Sequence, residues 1–131
     1  RYIELEELLR TSDVISLHLR ATPDTHHFLE RARLALVRLG AILVNTARGS
    51  LVDEAALIEC LREQKLAGAG LDVFETEPLP SGHPLTTLPN VLLTPHAAGM
   101  TPEVIQIGLA MAVENIENFL KGKPTHVVTP T

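Results

Sequence analysis

Apolar residues recur at helical spacing in four segments of the chain. Leu5, Leu8 and Leu9 form a stripe among glutamates, which predicts a first helix that ends near residues 11–12. The apolar positions that define the other three helices are Leu29, Ala32, Leu36 and Val37, then Ala56, Leu57, Cys60 and Leu61, and finally Ile105, Leu109, Ala112, Ile116 and Phe119. The pattern therefore predicts four amphipathic helices.

Terminating signals stand near the ends of these helices. Gly40 is placed to end the second helix in a left-handed cap, and Gly122, followed by Pro124, is placed to end the fourth. The Asp53 carboxylate can accept from the free N–H groups in the first turn of the third helix. We expect the helices to begin and end close to these residues.

Short apolar runs between the helices are typical of strands. They cover residues 14–19, 41–44, 68–73 and 91–93. The run at 41–44 is continuously apolar, which favours a strand buried on both faces of a parallel sheet. Residues 78–90 contain four prolines and are expected to form an irregular connection. The alternation predicts the α/β class: part of a doubly wound, Rossmann-like parallel sheet with right-handed crossovers and flanking helices that cover both faces.

Composition narrows the possible partners. The 131 residues are 45% hydrophobic, enough for one ordinary domain with a core. The formal net charge is −5, aromatic residues make up 3% and no basic stripe is present, so nucleic acid is not expected as a partner. No apolar run approaches the roughly 18 residues of a membrane span, so no membrane partner is expected. Cys60 is the only cysteine, so a disulfide is not expected, and the thiol is interpreted as a small buried hydrophobe.

Three side chains suited to catalysis follow three of the predicted strands. Arg48, Glu77 and His96 each lie just beyond an apolar run. Because the carboxyl ends of parallel strands meet at one edge of a sheet, we expect the three to converge there. A guanidinium can hold a carboxylate bidentately, an imidazole can transfer a proton near neutral pH, and a carboxylate can orient that imidazole. The combination predicts an active site.

Simpler interpretations of the same residues stay open. Arg48 can pair with a surface acid, and His96 can be a structural histidine. Glu75 competes with Glu77 and is interpreted as a solvated acid. Four other histidines lack the spacing of a metal site and are interpreted as surface residues, so no metal is expected. These are His26, His27, His83 and His126.

Four separated motifs resemble, in order, the D-isomer-specific 2-hydroxyacid dehydrogenases. They are residues 12–19, 40–49, 70–78 and 89–96. The resemblance implies an NAD(P)-dependent oxidoreductase that interconverts a 2-keto acid and a D-2-hydroxy acid. It also implies that residues 1–122 form the C-terminal portion of the cofactor domain and that residues 123–131 lead toward the substrate-binding lobe. The glycine-rich phosphate turn would lie upstream, since the one G-x-G spacing, at 68–70, does not extend to the full fingerprint and is interpreted as structural.

The same resemblance implies a role for each candidate residue. Arg48 would hold the substrate carboxylate, His96 would transfer the proton and Glu77 would orient His96. The residues implied to contact the cofactor are His18, Leu19, Thr46, Ala47, Arg48, Asp72, His96, Ala97, Ala98 and Gly99. Asp72 keeps an alternative interpretation as a turn cap. Arg20 stands where relatives place proline, which leaves the shape of the adenine pocket open.

The expected cofactor, partners and cellular location of the protein also follow from the resemblance. NAD is the expected cofactor, with NADP left open, and the expected partners are a small 2-keto or 2-hydroxy acid and a second copy in a cytoplasmic homodimer. Among substrates, 3-phosphoglycerate is expected first. The chain by itself is expected to be inactive and, because the strand at 14–19 would lack a partner, to self-associate. The alternative is a nucleotide-sensing interaction or scaffold module without turnover.

Overall fold

The computed structural model describes residues 2–128, which form two compact units, 2–97 and 98–128. The helices and strands of the first unit are α1 (Leu5–Thr11), β1 (Val14–Leu17), α2 (Arg31–Leu36), β2 (Ala41–Asn45), α3 (Glu54–Arg62), β3 (Leu66–Leu71) and β4 (Val91–Leu93). Short 3₁₀ turns cover Pro23–Thr25, Gly49–Leu51 and Pro84–Thr87. The second unit contains α4 (Pro102–Leu120).

The four strands form one parallel sheet in the order β1-β2-β3-β4, which confirms the predicted α/β class. Each strand is added on the same side of the previous one. Right-handed crossovers in a constant direction place their helices on the same face of the sheet. The packing agrees with this rule, because α1 packs against α2, α2 against α3, and α3 against β3.

Exposure alternates along the first two strands, so only one face of the sheet is covered by the first unit. Ile15 and Leu43 are buried in the core, whereas their neighbours Val14 and Ile42, which pair in register, are 58% and 42% exposed. The prediction that the sheet is covered on both faces is therefore wrong for the first unit, residues 2–97. The reason is the topology, since the helical connections all pass over one face. The most enclosed core side chains include Leu9, Leu34, Leu43, Leu57 and Leu61.

The ends of the helices in the structure can be compared with the capping residues predicted from the sequence. Asp53 caps α3 as predicted, since its Oδ1 accepts a first-turn N–H at 2.9 Å. Gly122 has a φ of 70° shortly after α4, also as predicted. Gly40 has a φ of 83°, but α2 already ends at Leu36, so the prediction of a helix cap there is wrong. Its N–H donates to the Lys65 carbonyl, and the left-handed residue instead turns the chain into β2.

The strands end level with one another. Register pairs Leu17 with Asn45, Asn45 with Leu71, and Leu71 with Leu93, which are the last residues of the four strands. β1 and β3 therefore end two residues earlier than predicted, because the ladder stops at the same level across the sheet. The loops that follow all leave from this one edge.

The second unit consists of α4 and the residues around it. Thr101 caps the helix, because its Oγ1 accepts the Val104 N–H at 3.3 Å, and Pro102 occupies the first position. No residue of α4 is buried. Among residues 2–128 there is no helix with the length and apolar character needed to cross a membrane.

The outer edge of β1 pairs with no other strand in the described part of the chain, as the sequence predicted. Such an edge presents free N–H and C=O groups to a strand of another molecule. We expect the chain to elute well above its monomer mass of 14.3 kDa on sizing chromatography, and Val14→Lys, which places a charge on this edge strand, to reduce the association. Leu39→Lys adds the same charge at an exposed leucine outside the sheet and should not reduce it. A monodisperse wild-type monomer would refute the prediction.

Candidate active site

The loop after β2 is shaped by a buried asparagine. Asn45 accepts the Ala47 N–H on its Oδ1 at 3.0 Å and donates from Nδ2 to the Arg48 carbonyl at 2.9 Å. Gly49 then brings this loop against the next one, because a Cβ there would lie 2.0 Å from the Phe74 carbonyl group. The backbone that carries Arg48 is therefore held against the loop after β3.

The loop after β3 is tied to the loop after β4 by Asp72. This carboxylate is buried, and its Oδ1 accepts from the Thr94 hydroxyl at 2.5 Å and from the Ala97 N–H at 2.8 Å. These bonds agree with the interpretation of Asp72 as a residue that stabilises a turn. Its contact with the cofactor stays a prediction.

Glu77 and His96 form a hydrogen-bonded pair, as the sequence predicted. Glu77 Oε2 lies 2.7 Å from His96 Nδ1, and Glu77 Oε1 accepts the Phe74 N–H at 3.0 Å. The bond from His96, and after it the bond from Phe74, lowers the pKa of Glu77 below its ordinary value. Because an ionised carboxylate only accepts, His96 Nδ1 donates and Nε2 is left for chemistry. His96 has a φ of 53°, a conformation that few residues other than glycine adopt.

Six of the predicted site residues line two pockets of the first unit. Glu77 and His96 line a pocket of about 620 Å³, whose other walls are Phe74, Pro78, Leu79, Leu93, Thr94 and Pro95. A second pocket, of about 470 Å³, is lined by His18, Leu19, Arg20, Ala21, Ala47 and Arg48. Thr46 is exposed on the loop between β2 and Arg48, and Ala98 and Gly99 belong to the second unit. The structure therefore joins Glu77 to His96, while convergence of Arg48 with that pair stays a prediction.

Two other histidines pair with carboxylates. His83 is only 18% exposed, and its Nε2 lies 3.2 Å from Glu54 Oε1, so its interpretation as a surface residue is wrong. His27 Nε2 lies 2.5 Å from Glu75 Oε1, so Glu75 is not simply a solvated acid. These partners are distant in sequence, and no local spacing indicated them.

Burial raises the pKa of the Cys60 thiol, in agreement with its predicted role as a small hydrophobe. No group of residues in 2–128 is arranged to hold a metal ion.

Acidification should destabilise the chain in part through Glu77. Because the folded-state pKa lies below the ordinary value of 4.5, the ionised group contributes stability above that pH, and this contribution is lost as the pH falls through the folded pKa. We expect the melting temperature to decline more steeply between about pH 5 and pH 3 in the wild type than in Glu77→Gln. Thermal melts at constant ionic strength measure both slopes. Parallel profiles would contradict the Glu77–His96 pairing.

The fold and the site together indicate the class of protein to which this chain belongs. Parallel α/β sheets of this kind bind dinucleotides at the carboxyl ends of their strands, and an imidazole–carboxylate pair at that edge suits the proton transfer that accompanies hydride transfer. These features are typical of the cofactor domains of dinucleotide-dependent oxidoreductases. The chain belongs to the family described as D-isomer specific 2-hydroxyacid dehydrogenase, NAD binding domain, which its residues 1–98 match.

Individual proteins that are similar to this chain in sequence or structure agree with its membership in this family. A glyoxylate reductase of Aeropyrum pernix is 50% identical over 122 residues, which are 93% of this chain and 36% of that protein. A D-3-phosphoglycerate dehydrogenase of Methanocaldococcus jannaschii is 44% identical over 120 residues, 92% of this chain and 23% of that protein. The solved structure of an acyclic imino acid reductase (Bsp5), in complex with NADPH and D-Arg, matches with a TM-score of 0.90 and 37% identity, over 97% of this chain and 40% of that one. This chain thus spans less than half the length of each.

Proposed function

We propose that this chain forms the part of an NAD(P)-dependent oxidoreductase that carries out proton transfer during interconversion of a 2-keto acid and a D-2-hydroxy acid. The observation that carries the proposal is the bond between Glu77 and His96 in the wall of a pocket at the carboxyl edge of the sheet. Membership in the family supports the substrate class.

His96 transfers the proton in this proposal. When bound, the nicotinamide supplies the hydride that reduces C2 of the keto acid. His96 Nε2 donates a proton to the carbonyl oxygen of the substrate, which becomes the hydroxyl, and takes that proton back in the reverse reaction. Glu77 fixes the ring through Nδ1, so that Nε2 keeps one direction throughout the cycle.

Arg48 binds the carboxylate of the substrate. A planar guanidinium matches both carboxylate oxygens, and this contact orients the adjacent ketone. The proposal requires Arg48, which donates to the Ala47 carbonyl at 2.6 Å in the present structure, to direct its remaining N–H groups toward the substrate.

The pocket beside Arg48 fits a dinucleotide in its chemistry. It opens at the ends of β1 and β2, and its lining contains two arginines and no acid, which suits a ligand with phosphate groups. His18, Leu19, Thr46 and Ala47 would hold the cofactor on this side. Asp72, Ala97, Ala98 and Gly99 would hold it near the nicotinamide, with His96 and Arg48 bordering both ligands. NAD is proposed as the cofactor, and NADP is retained because the Bsp5 reductase binds NADPH.

The proposed setting of the whole protein is a cytoplasmic homodimer. We place the cofactor domain at residues 1–122 and a segment that leads toward a substrate lobe at 123–131, of which 129–131 lie outside the described residues. Glyoxylate and 3-phosphohydroxypyruvate are the first substrates to test, because relatives named for glyoxylate reduction and for 3-phosphoglycerate oxidation both share more than 40% identity with this chain.

A direct assay tests the proposal. The native gene product that contains these residues is incubated with NADH or NADPH and with glyoxylate, pyruvate or 3-phosphohydroxypyruvate, and loss of absorbance of the reduced cofactor is followed. We expect turnover of at least one keto acid to the D-hydroxy product. Cofactor binding without turnover of any of them would overturn the proposal and favour a nucleotide-sensing module.

A further inference from the structure

A second imidazole–carboxylate pair lies outside the site described above. Glu54, the first residue of α3, places Oε1 3.2 Å from His83 Nε2. The two side chains are 15% and 18% exposed, whereas Glu75 and His27 are each 36% exposed. Largely buried hydrogen-bonding partners depend on each other, because removal of one leaves the other desolvated and unpaired.

The hydrogen bonds of His83 define its protonation. Its Nδ1 accepts the Leu85 N–H at 3.4 Å, which caps the Pro84–Thr87 turn, so Nδ1 carries no proton. Nε2 must then carry the proton and donate to Glu54. Both ring nitrogens are occupied, and the ring has no capacity left for another partner.

One carboxylate therefore holds both ends of the segment 75–83. Glu54 Oε1 holds His83 at the far end, and Glu54 Oε2 accepts the Glu75 N–H at 3.4 Å at the near end. Glu77 lies inside this segment, where its two oxygens meet Phe74 and His96. The start of α3 thus anchors the backbone from which Glu77 reaches the histidine.

We propose that Glu54 and His83 are positioning residues that fix the segment 75–83 so that Glu77 stays hydrogen-bonded to His96. The consequence for catalysis rests on the proposed function, but the positioning itself is a property of this chain. The exposed pair of Glu75 and His27 touches the same segment, yet exposed ion pairs contribute little, and it serves as the comparison.

Two variants of His83 separate the contact with Glu54 from the turn cap. In His83→Asn, the amide oxygen can replace Nδ1 as acceptor from Leu85, while the donor to Glu54 is lost. In His83→Gln, the amide nitrogen can replace Nε2 as donor to Glu54, while the cap is lost. Glu54→Ala removes both contacts of the carboxylate, and Glu75→Gln is the control on the exposed pair.

The readout is the titration of the Glu77 carboxyl carbon by NMR, with the Nδ1 proton of His96 as a second signal. All variants are compared in a Val14→Lys background, which limits self-association of the 131-residue chain. We expect His83→Asn and Glu54→Ala to raise the pKa of Glu77 toward its ordinary value and to weaken the Nδ1 signal, and His83→Gln and Glu75→Gln to preserve both. The proposal would be overturned if Glu77 in His83→Asn titrated as it does in the wild type. It would also be overturned if the two His83 variants changed the pKa of Glu77 equally. If Glu54→Ala does not fold, the two His83 variants decide.

Turnover is measured separately in the native gene product. We expect kcat to fall roughly ten- to a hundredfold in His83→Asn, with the KM for the dinucleotide unchanged, because the proton donor is misplaced and the cofactor pocket is not. An unchanged kcat would overturn the catalytic consequence. A wild type without turnover would overturn the proposed function and leave the NMR result to decide the positioning role.

Discussion

Replacement of His96 by glutamine is expected to lower kcat/KM for keto-acid reduction by a factor of about 10² to 10⁴, the usual contribution of a positioned general acid. Glutamine can keep a hydrogen bond to Glu77, but its amide cannot deliver a proton to the substrate oxygen. Steady-state assays of the native gene product across pH measure the loss.

Two measurements separate this result from a folding defect. His126→Gln makes the same exchange at an exposed histidine of the second unit and should retain full activity. Dinucleotide affinity and melting temperature should also be close to those of the wild type in His96→Gln. Retained turnover in His96→Gln would remove His96 from its catalytic role.

Arg48→Lys should raise the KM for the keto acid and lower kcat/KM by about 10²-fold. Lysine keeps the positive charge but loses the planar fork, and one charge-assisted hydrogen bond contributes roughly 1.5–3 kcal/mol. The affinity for dinucleotide should change far less, because lysine keeps the positive charge of this position and Arg20 of the same pocket is unaltered. Initial rates at varied keto acid and saturating cofactor measure the effect.

A matched exchange tests whether the position of the charge matters. Arg10→Lys alters an exposed guanidinium of α1 that pairs with Glu6, and it should leave the kinetics unchanged. An unchanged KM in Arg48→Lys would support the simpler interpretation of Arg48 as a surface residue. It would also separate Arg48 from the pocket of Glu77 and His96.

The parts of the fold that depend on neighbouring residues in the chain could be predicted from the sequence. Helical spacing and the Asp53 cap depend on neighbouring residues, so α3 could be predicted with its first turn. Coverage of the sheet depends on the direction in which successive strands are added, which no apolar run reveals. The run at 41–44 therefore suggested a strand buried on both faces, although Ile42 is exposed. Gly40 has the predicted backbone conformation but serves a turn, because the local signal is the same for both uses.

The site was readable only in part, for a related reason. The pairing of Glu77 with His96 could be predicted because the resemblance of their motifs to a known family implied a carboxylate that orients an imidazole. The contacts of Glu54 with His83 and of Glu75 with His27 join residues far apart in the chain. Spacing within one sequence carries no information on such pairs, so the sequence does not reveal that His83 is largely buried.

The contact at Gly49 has a consequence for protein engineering. The loops after β2 and β3 meet there backbone to backbone, with no room even for a methyl group. A library that varies the Arg48 loop in search of new substrates would therefore lose most members that change residue 49, whatever their effect on recognition. Diversity aimed at the cofactor is better directed to Arg20 and Ala21, which lie in the loop after β1, line the pocket beside Arg48 and leave that contact intact.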